Sequence, residues 1–173
     1  MDFVVLRLIH VLGGAFWLGA AVTMFLFLQP TARATAPEGQ RFMLHLLRDR
    51  RFSEVVLIAA LLTGVAGAIL FWRDTSGLRP QLMMQGQGLG FTIGGLAGGI
   101  ALLLFIFVGY PAGRRMIAIG DRLEAERRAL SEDEQRILTA TQAVLSRVGA
   151  VVLVLLAAAA AAMATARYWP LVL

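Results

Sequence analysis

"GQGLGFTIGGLAGGIALLLFIFVGY", residues 86–110, runs for 25 residues without a charge. At ~1.5 Å per residue, a helix of that length crosses the ~30 Å hydrocarbon core of a bilayer. The stretch shows no alternation of period two, so it does not read as a barrel strand. In lipid a helix satisfies its own backbone polar groups. Three further segments read the same way and place the spans at 3–28, 55–72, 89–110 and 148–166. The expected fold is therefore all-α: an integral membrane four-helix bundle forming one domain over residues 1–173.

Composition agrees with that class. The chain is 58% hydrophobic, with a mean hydropathy of +0.74, above the apolar share of ordinary soluble domains. It has no cysteine, which removes disulfides, thiolate metal sites and cysteine nucleophiles. It has no lysine, and all 16 basic residues are arginine. The net charge of +5 is assigned to loop arginines facing anionic lipid rather than to nucleic acid. "MDFVVLR" lacks the basic start of a cleavable signal, so the first span reads as a retained anchor.

Arginine placement orients the spans. Arg33, Arg41, Arg48, Arg50 and Arg51 lie in the first loop, and seven arginines from Arg114 to Arg147 lie in the third. The second loop has Arg73 and Arg79 alone. The positive-inside rule then predicts loops one and three in the cytoplasm and both termini outside. Trp72, Tyr168 and Trp169 fall at the outer interface, where amphipathic aromatics belong.

The cytoplasmic loops carry helix signals. "TAPE", residues 35–38, reads as a capping box opening an amphipathic helix that puts Phe42, Met43, Leu46 and Leu47 on one face and runs into span two. "SEDE", residues 131–134, reads as a second box. With "GRRMIAIGDRLEAERRAL" it predicts a cytoplasmic helical hairpin over about 112–147, closed near Leu130 and Ser131. Met116, Ile119, Leu123, Ile137 and Leu145 are its expected seam.

Within the opening stretch, Gly86, Gly90, Gly94 and Gly98 recur every fourth residue, flanked by Gly95 and Gly99. Residues four apart share a helix face, and small-xxx-small faces let helices in lipid approach closely. Ala60, Gly64 and Ala68 repeat the theme in span two, as does the run Ala157 to Ala162 in span four. Three readings fit: packing within the bundle, a flat cofactor such as haem against Gly90 and Gly94, or a partner's helix.

His10 is the ionisable group inside span one, ~10 Å from its start, with Gly13, Gly14 and Trp17 on its face. Met83, Met84, Gln85 and Gln87 precede span three, and Met163 lies near the outer end of span four. All are expected in the outer leaflet. Imidazole with thioethers suits Cu(I), or haem iron with His/Met ligation. This makes His10, Met83, Met84 and Met163 the candidate metal ligands. The alternative is a neutral imidazole bonded to a backbone carbonyl or a glutamine, with no cofactor. His45 reads as a solvated residue on the opposite side. No acidic residue lies in a span's interior, and no HExxH, GxSxG or Rossmann pattern occurs in a suitable setting, so an enzyme is not the leading reading.

"LIHVLGGAFWLGAAVTMFLFLQP", residues 8–30, resembles the first helix of the copper-resistance D (CopD)-like membrane proteins: a histidine, small residues, Trp-Leu-Gly, then a closing proline. "RFSEVVLIAALLTGVAGA", residues 51–68, is similar to another helix of that group, and "MATARYW", residues 163–169, to an ending of small bacterial membrane proteins. The resemblance implies a bacterial inner-membrane bundle that handles haem or copper or transfers electrons. It extends distantly to HemJ-type protoporphyrinogen oxidases, in which a first-helix histidine serves haem. That role falls on His10, with Met84 as candidate second axial ligand. Those enzymes also use a lysine, which this chain lacks. From a different class, the chain reads as an accessory subunit of a larger energy-transducing membrane complex. It would then dock other membrane subunits, or a second copy of itself, through its Gly/Ala faces.

Overall fold

The computed structural model describes residues 3–171; Met1, Asp2, Val172 and Leu173 lie outside it. The described chain is all-α, with four helices long and apolar enough to cross a membrane. The first runs through α1 (Phe3–Val22), a π-helical turn (Thr23–Leu28) and α2 (Gln29–Ala34). Next come the short α3 (Glu38–Arg48) and the second long helix, α4 (Phe52–Asp74). A loop holding α5 (Pro80–Met83) leads to α6 (Gly86–Leu104), a second π-turn (Phe105–Gly109) and α7 (Tyr110–Glu126), which together make the third. The fourth is α8 (Glu132–Thr165), ending in a 3-10 turn (Ala166–Leu171).

The π-turns have a local cause. Proline offers no N–H to the carbonyl four residues back, and its ring clashes with that carbonyl. Pro30 and Pro111 each follow a π-turn. Gln29 donates instead to the Met24 carbonyl, and Tyr110 to that of Phe105, one residue further than in an α-helix. The widened turn makes room for the ring and lets the helix continue.

The long helices form a closed ring: α1 packs on α4, α4 on α6, α6 on α8, and α8 back on α1. One buried cluster joins all four, through Trp17 and Ala21, Val56 and Ala60, Ala101, and Val152 and Leu156. Phe105 meets Trp17 there, ring centroids 6.5 Å apart. The outer faces stay apolar: Leu12, Phe107 and Val154 are 64%, 72% and 67% exposed. An apolar exterior of this extent is what a lipid-facing surface requires.

The two hairpins, α1–α4 and α6–α8, share a design. Gly13-Gly14 precede Pro30 by the same fifteen-residue interval that separates Gly94-Gly95 from Pro111. A side chain at Gly13 would meet Thr63 and the carbonyl of Ala59, four residues earlier. At Gly94 it would meet Met163 and the carbonyl of Ala159, again four earlier. The same close crossing is built twice, in parallel orientation.

The loop helices depart in part from the sequence reading. "TAPE" forms no capping box: α2 runs on to Ala34, so Thr35 caps its end and its hydroxyl donates back to the Thr31 carbonyl at 2.9 Å. Nor does α3 run into α4, because the chain breaks at Asp49–Arg51, where Arg51 adopts φ +51. Instead α3 lies on α7, with Leu44 against Gly120 and Arg48 paired to Asp121 and Glu124 at 3.1 and 2.6 Å. The "SEDE" box does form: Ser131 Oγ accepts from Glu134 N, and the Glu134 carboxylate accepts from Ser131 N. The α7–α8 hairpin closes over residues 127–131. Its seam is corrected: Ile137 is 45% exposed, whereas Ile117 and Thr141 are buried.

Candidate functional site

Starting from the four-helix cluster, Trp17, Ala60, Ala101 and Leu156 mark one layer. Seven residues, or two helical turns, toward the end that carries α5 lead to His10, Gly67, Gly94 and Met163. That is ~10 Å along each axis. In this second layer, within each hairpin, one large side chain lies over a glycine of the facing helix. A Cβ at Gly67 would lie 2.6 Å from His10 Cε1 and 2.7 Å from Nδ1. A Cβ at Gly94 would lie 2.6 Å from Met163 Cγ and 3.0 Å from its Cε.

His10 is half-buried and anchored. Its Nδ1 lies 2.9 Å from the Thr63 carbonyl. A carbonyl only accepts, so Nδ1 carries the proton and donates, which leaves the Nε2 lone pair free. The imidazole hydrogen-bonds a backbone carbonyl, the arrangement that serves both a plain core histidine and a metal-ligating one. Beside it the Thr63 hydroxyl is buried with no hydrogen-bond partner, pressed by the backbone of Gly13.

Beyond this layer the hairpins have separate cores. Leu6, Ala66 and Leu70, with Ile9, close α1 on α4. Gly90 receives Ala166, whose Cβ would be 2.8 Å from a side chain there, and closes α6 on the end of α8. Between the hairpins, a Cβ built at Gly64 would lie 2.9 Å from Leu102 Cδ2. Seven residues outward from Leu102, on the same face, Gly95 has nothing within 4 Å of a built Cβ. Within the bundle, the Trp17–Phe105 contact lies two turns below this layer, with His10 on the first hairpin and Met163 on the second.

The other predicted residues lie apart from this layer or seat its helices. Met84 is 62% exposed at the end of α5. Met83 offers its carbonyl to the Thr92 hydroxyl at 2.9 Å, which ties α5 to α6. Gly90 and Gly94 seat α8, so a flat ring laid on them would displace Ala166 and Met163. Gly86, at φ +48, starts α6, and Gly98 has Ala159 Cβ at 3.9 Å. Among the described residues no three His, Asp or Glu side chains gather as a metal site. His45 is exposed and lies 2.6 Å from Asp49 on the far side of the molecule. Sequence reasoning missed Thr63, the acceptor of the His10 hydrogen bond, and Gly67, on which the imidazole lies. The repeated Gly-Gly and proline interval was the signal that would have aligned the two hairpins.

Comparison with known proteins finds no matching family, no matching characterised protein and no matching solved structure.

Proposed function

We propose that the chain is a multi-pass protein of the bacterial inner membrane, N-out and C-out, of CopD-like type. It binds haem b or copper near the outer leaflet through His10 and serves haem or metal handling or electron transfer. The observation that carries this is the bond from His10 Nδ1 to the Thr63 carbonyl. It fixes the ring and leaves Nε2 of the neutral imidazole available as a ligand. Met163, in the same layer of the opposite hairpin, supplies a thioether in place of the sequence-stretch candidates Met83 and Met84. An imidazole and a thioether fit low-spin haem iron or Cu(I), and the bound group would supply one-electron chemistry. The protein's own residues hold and orient it, with the Trp17–Phe105 contact below.

The test is a visible spectrum and an elemental analysis of the purified protein. A Soret band that disappears in His10→Ala supports haem. Stoichiometric copper lost in the same variant supports copper. A colourless, metal-free protein that stays so after reconstitution with haemin or Cu(I) overturns both. Because the chain has no cysteine, single-cysteine variants at Ser76 and Ser131 report orientation by impermeant labelling. Labelling of residue 76 from outside, and not of residue 131, is expected.

One observation favours the accessory-subunit reading. Gly95 and Gly99 on α6 meet nothing within 4 Å of a built Cβ, so this Gly-xxx-Gly face is free for another helix. Gly95→Ile with Gly99→Ile would then release co-purifying subunits and leave the fold intact.

A further inference from the structure

We propose that the arginine-rich end of the bundle carries a binding site for the phosphate of an anionic phospholipid, between α2 and α8. A depression of about 340 Å³ is lined by Arg33 from α2 and by Thr139, Gln142, Ala143, Ser146 and Arg147 from α8. It contains two guanidinium groups and no carboxylate. Arg33 and Arg147 form no salt bridge among the described residues. The nearby carboxylates of α8, Glu132 and Asp133, face Arg136 at 3.6 and 3.5 Å. Two like charges converging on one hollow repel each other unless an anion joins them. The guanidinium fork matches phosphate oxygens, and Ser146, Thr139 and Gln142 add hydrogen-bonding groups.

The repeat gives an internal comparison. Arg33 stands three residues after Pro30, and Arg114 three residues after Pro111. Arg114 is paired with Glu54 of α4, at 3.3 Å. At the equivalent place Arg33 meets no acid but a second arginine, Arg147 of α8. The site is also held in place: the ring of Phe25 lies in the space above Gly149. This fastens the first π-turn to α8 just before α2 begins.

The occupant is a lipid rather than a soluble phosphate because the hollow opens onto an apolar track. Val148 starts the uncharged part of α8 directly after Arg147. Ala150, Val154 and Ala157 continue the same face, all exposed, with room for an acyl chain. Basic pockets at the membrane's charged interface bind anionic headgroups in this way.

The experiment is native mass spectrometry of the full chain in detergent, titrated with phosphatidylglycerol, with phosphatidylcholine of the same acyl length, and with inorganic phosphate. Phosphatidylglycerol is expected to bind about thirtyfold more tightly than phosphatidylcholine, from two arginines near a charged surface. Arg33→Gln with Arg147→Gln should abolish that preference. Arg136→Gln, outside the hollow, should keep it. Equal retention of the two lipids by the wild-type protein overturns the proposal. So does displacement of phosphatidylglycerol by millimolar phosphate, which would assign the site to a soluble ion.

Discussion

The ring of Phe25 occupies the volume that any side chain at residue 149 would need, so that α8 passes the first π-turn as bare backbone. A methyl group at Gly149 has no free space, and Phe25 cannot withdraw without opening the contact between the first helix and α8. Gly149→Ala should therefore destabilise the protein by about 1–3 kcal/mol, the usual range for an overpacked core. Thermal unfolding in detergent measures it. Phe25→Ala in the same background should recover part of the loss, and an additive double variant would contradict the relationship.

Gly67→Ala tests the seat of His10. The added methyl falls 2.6 Å from the imidazole and forces the ring off the Thr63 carbonyl. Loss of that hydrogen bond costs about 0.5–1.5 kcal/mol. If Nε2 holds a cofactor, affinity should fall about tenfold or more as its orienting partner is lost. Unchanged affinity, read from spectral titration with haemin or from a Cu(I) competition assay, would detach the ligand role from this geometry.

Met163→Ala and Met163→Leu separate packing from ligation. Alanine leaves a cavity above Gly94 and should cost about 2–5 kcal/mol. Leucine keeps the volume and should cost under about 1.5 kcal/mol, yet it removes the sulfur. A Met163→Leu protein of near-normal stability with a shifted haem spectrum, or with weakened copper binding, is the expected outcome.

The start of α8 should respond to acid. Hydrogen bonds from Arg128, and from the Ser131 backbone and hydroxyl, hold the Glu134 carboxyl down at about 2 against an ordinary 4.5. Its folded pKa is depressed, so its contribution to the capping box is fully present above pH ~4.5 and is lost as pH falls toward 2. Amide exchange at residues 132–136 should accelerate across that window. Arg128→Gln should move the carboxyl's titration, followed by NMR, back toward its ordinary value. Ser131→Ala should cost about 1 kcal/mol at neutral pH.

Much of the architecture was legible because the helices are long apolar runs and charges mark where they end. The four spans, the hairpin and the "SEDE" box were read from such signals. "TAPE" misled because a capping motif is meaningful only if the preceding helix has already stopped, and α2 had not. Ile137 was placed on the seam by spacing alone, which cannot show where along α8 the partner helix leaves it exposed. At the candidate site, His10 and the small residues near it were visible. Gly67 was not, since a lone glycine in an apolar helix signals nothing until its neighbour is known. Met163 was one of several methionines near the same end, and its seat on Gly94 follows from the register of α6 and α8.

Each hairpin is closed by its own backbone-to-backbone crossing, at Gly13 and at Gly94, while side chains hold the two together: Trp17 on Phe105, Leu102 toward Gly64 and Phe25 over Gly149. The halves are thus welded within and buttoned to each other. Shortening any one of those side chains undoes a button and leaves both welds intact.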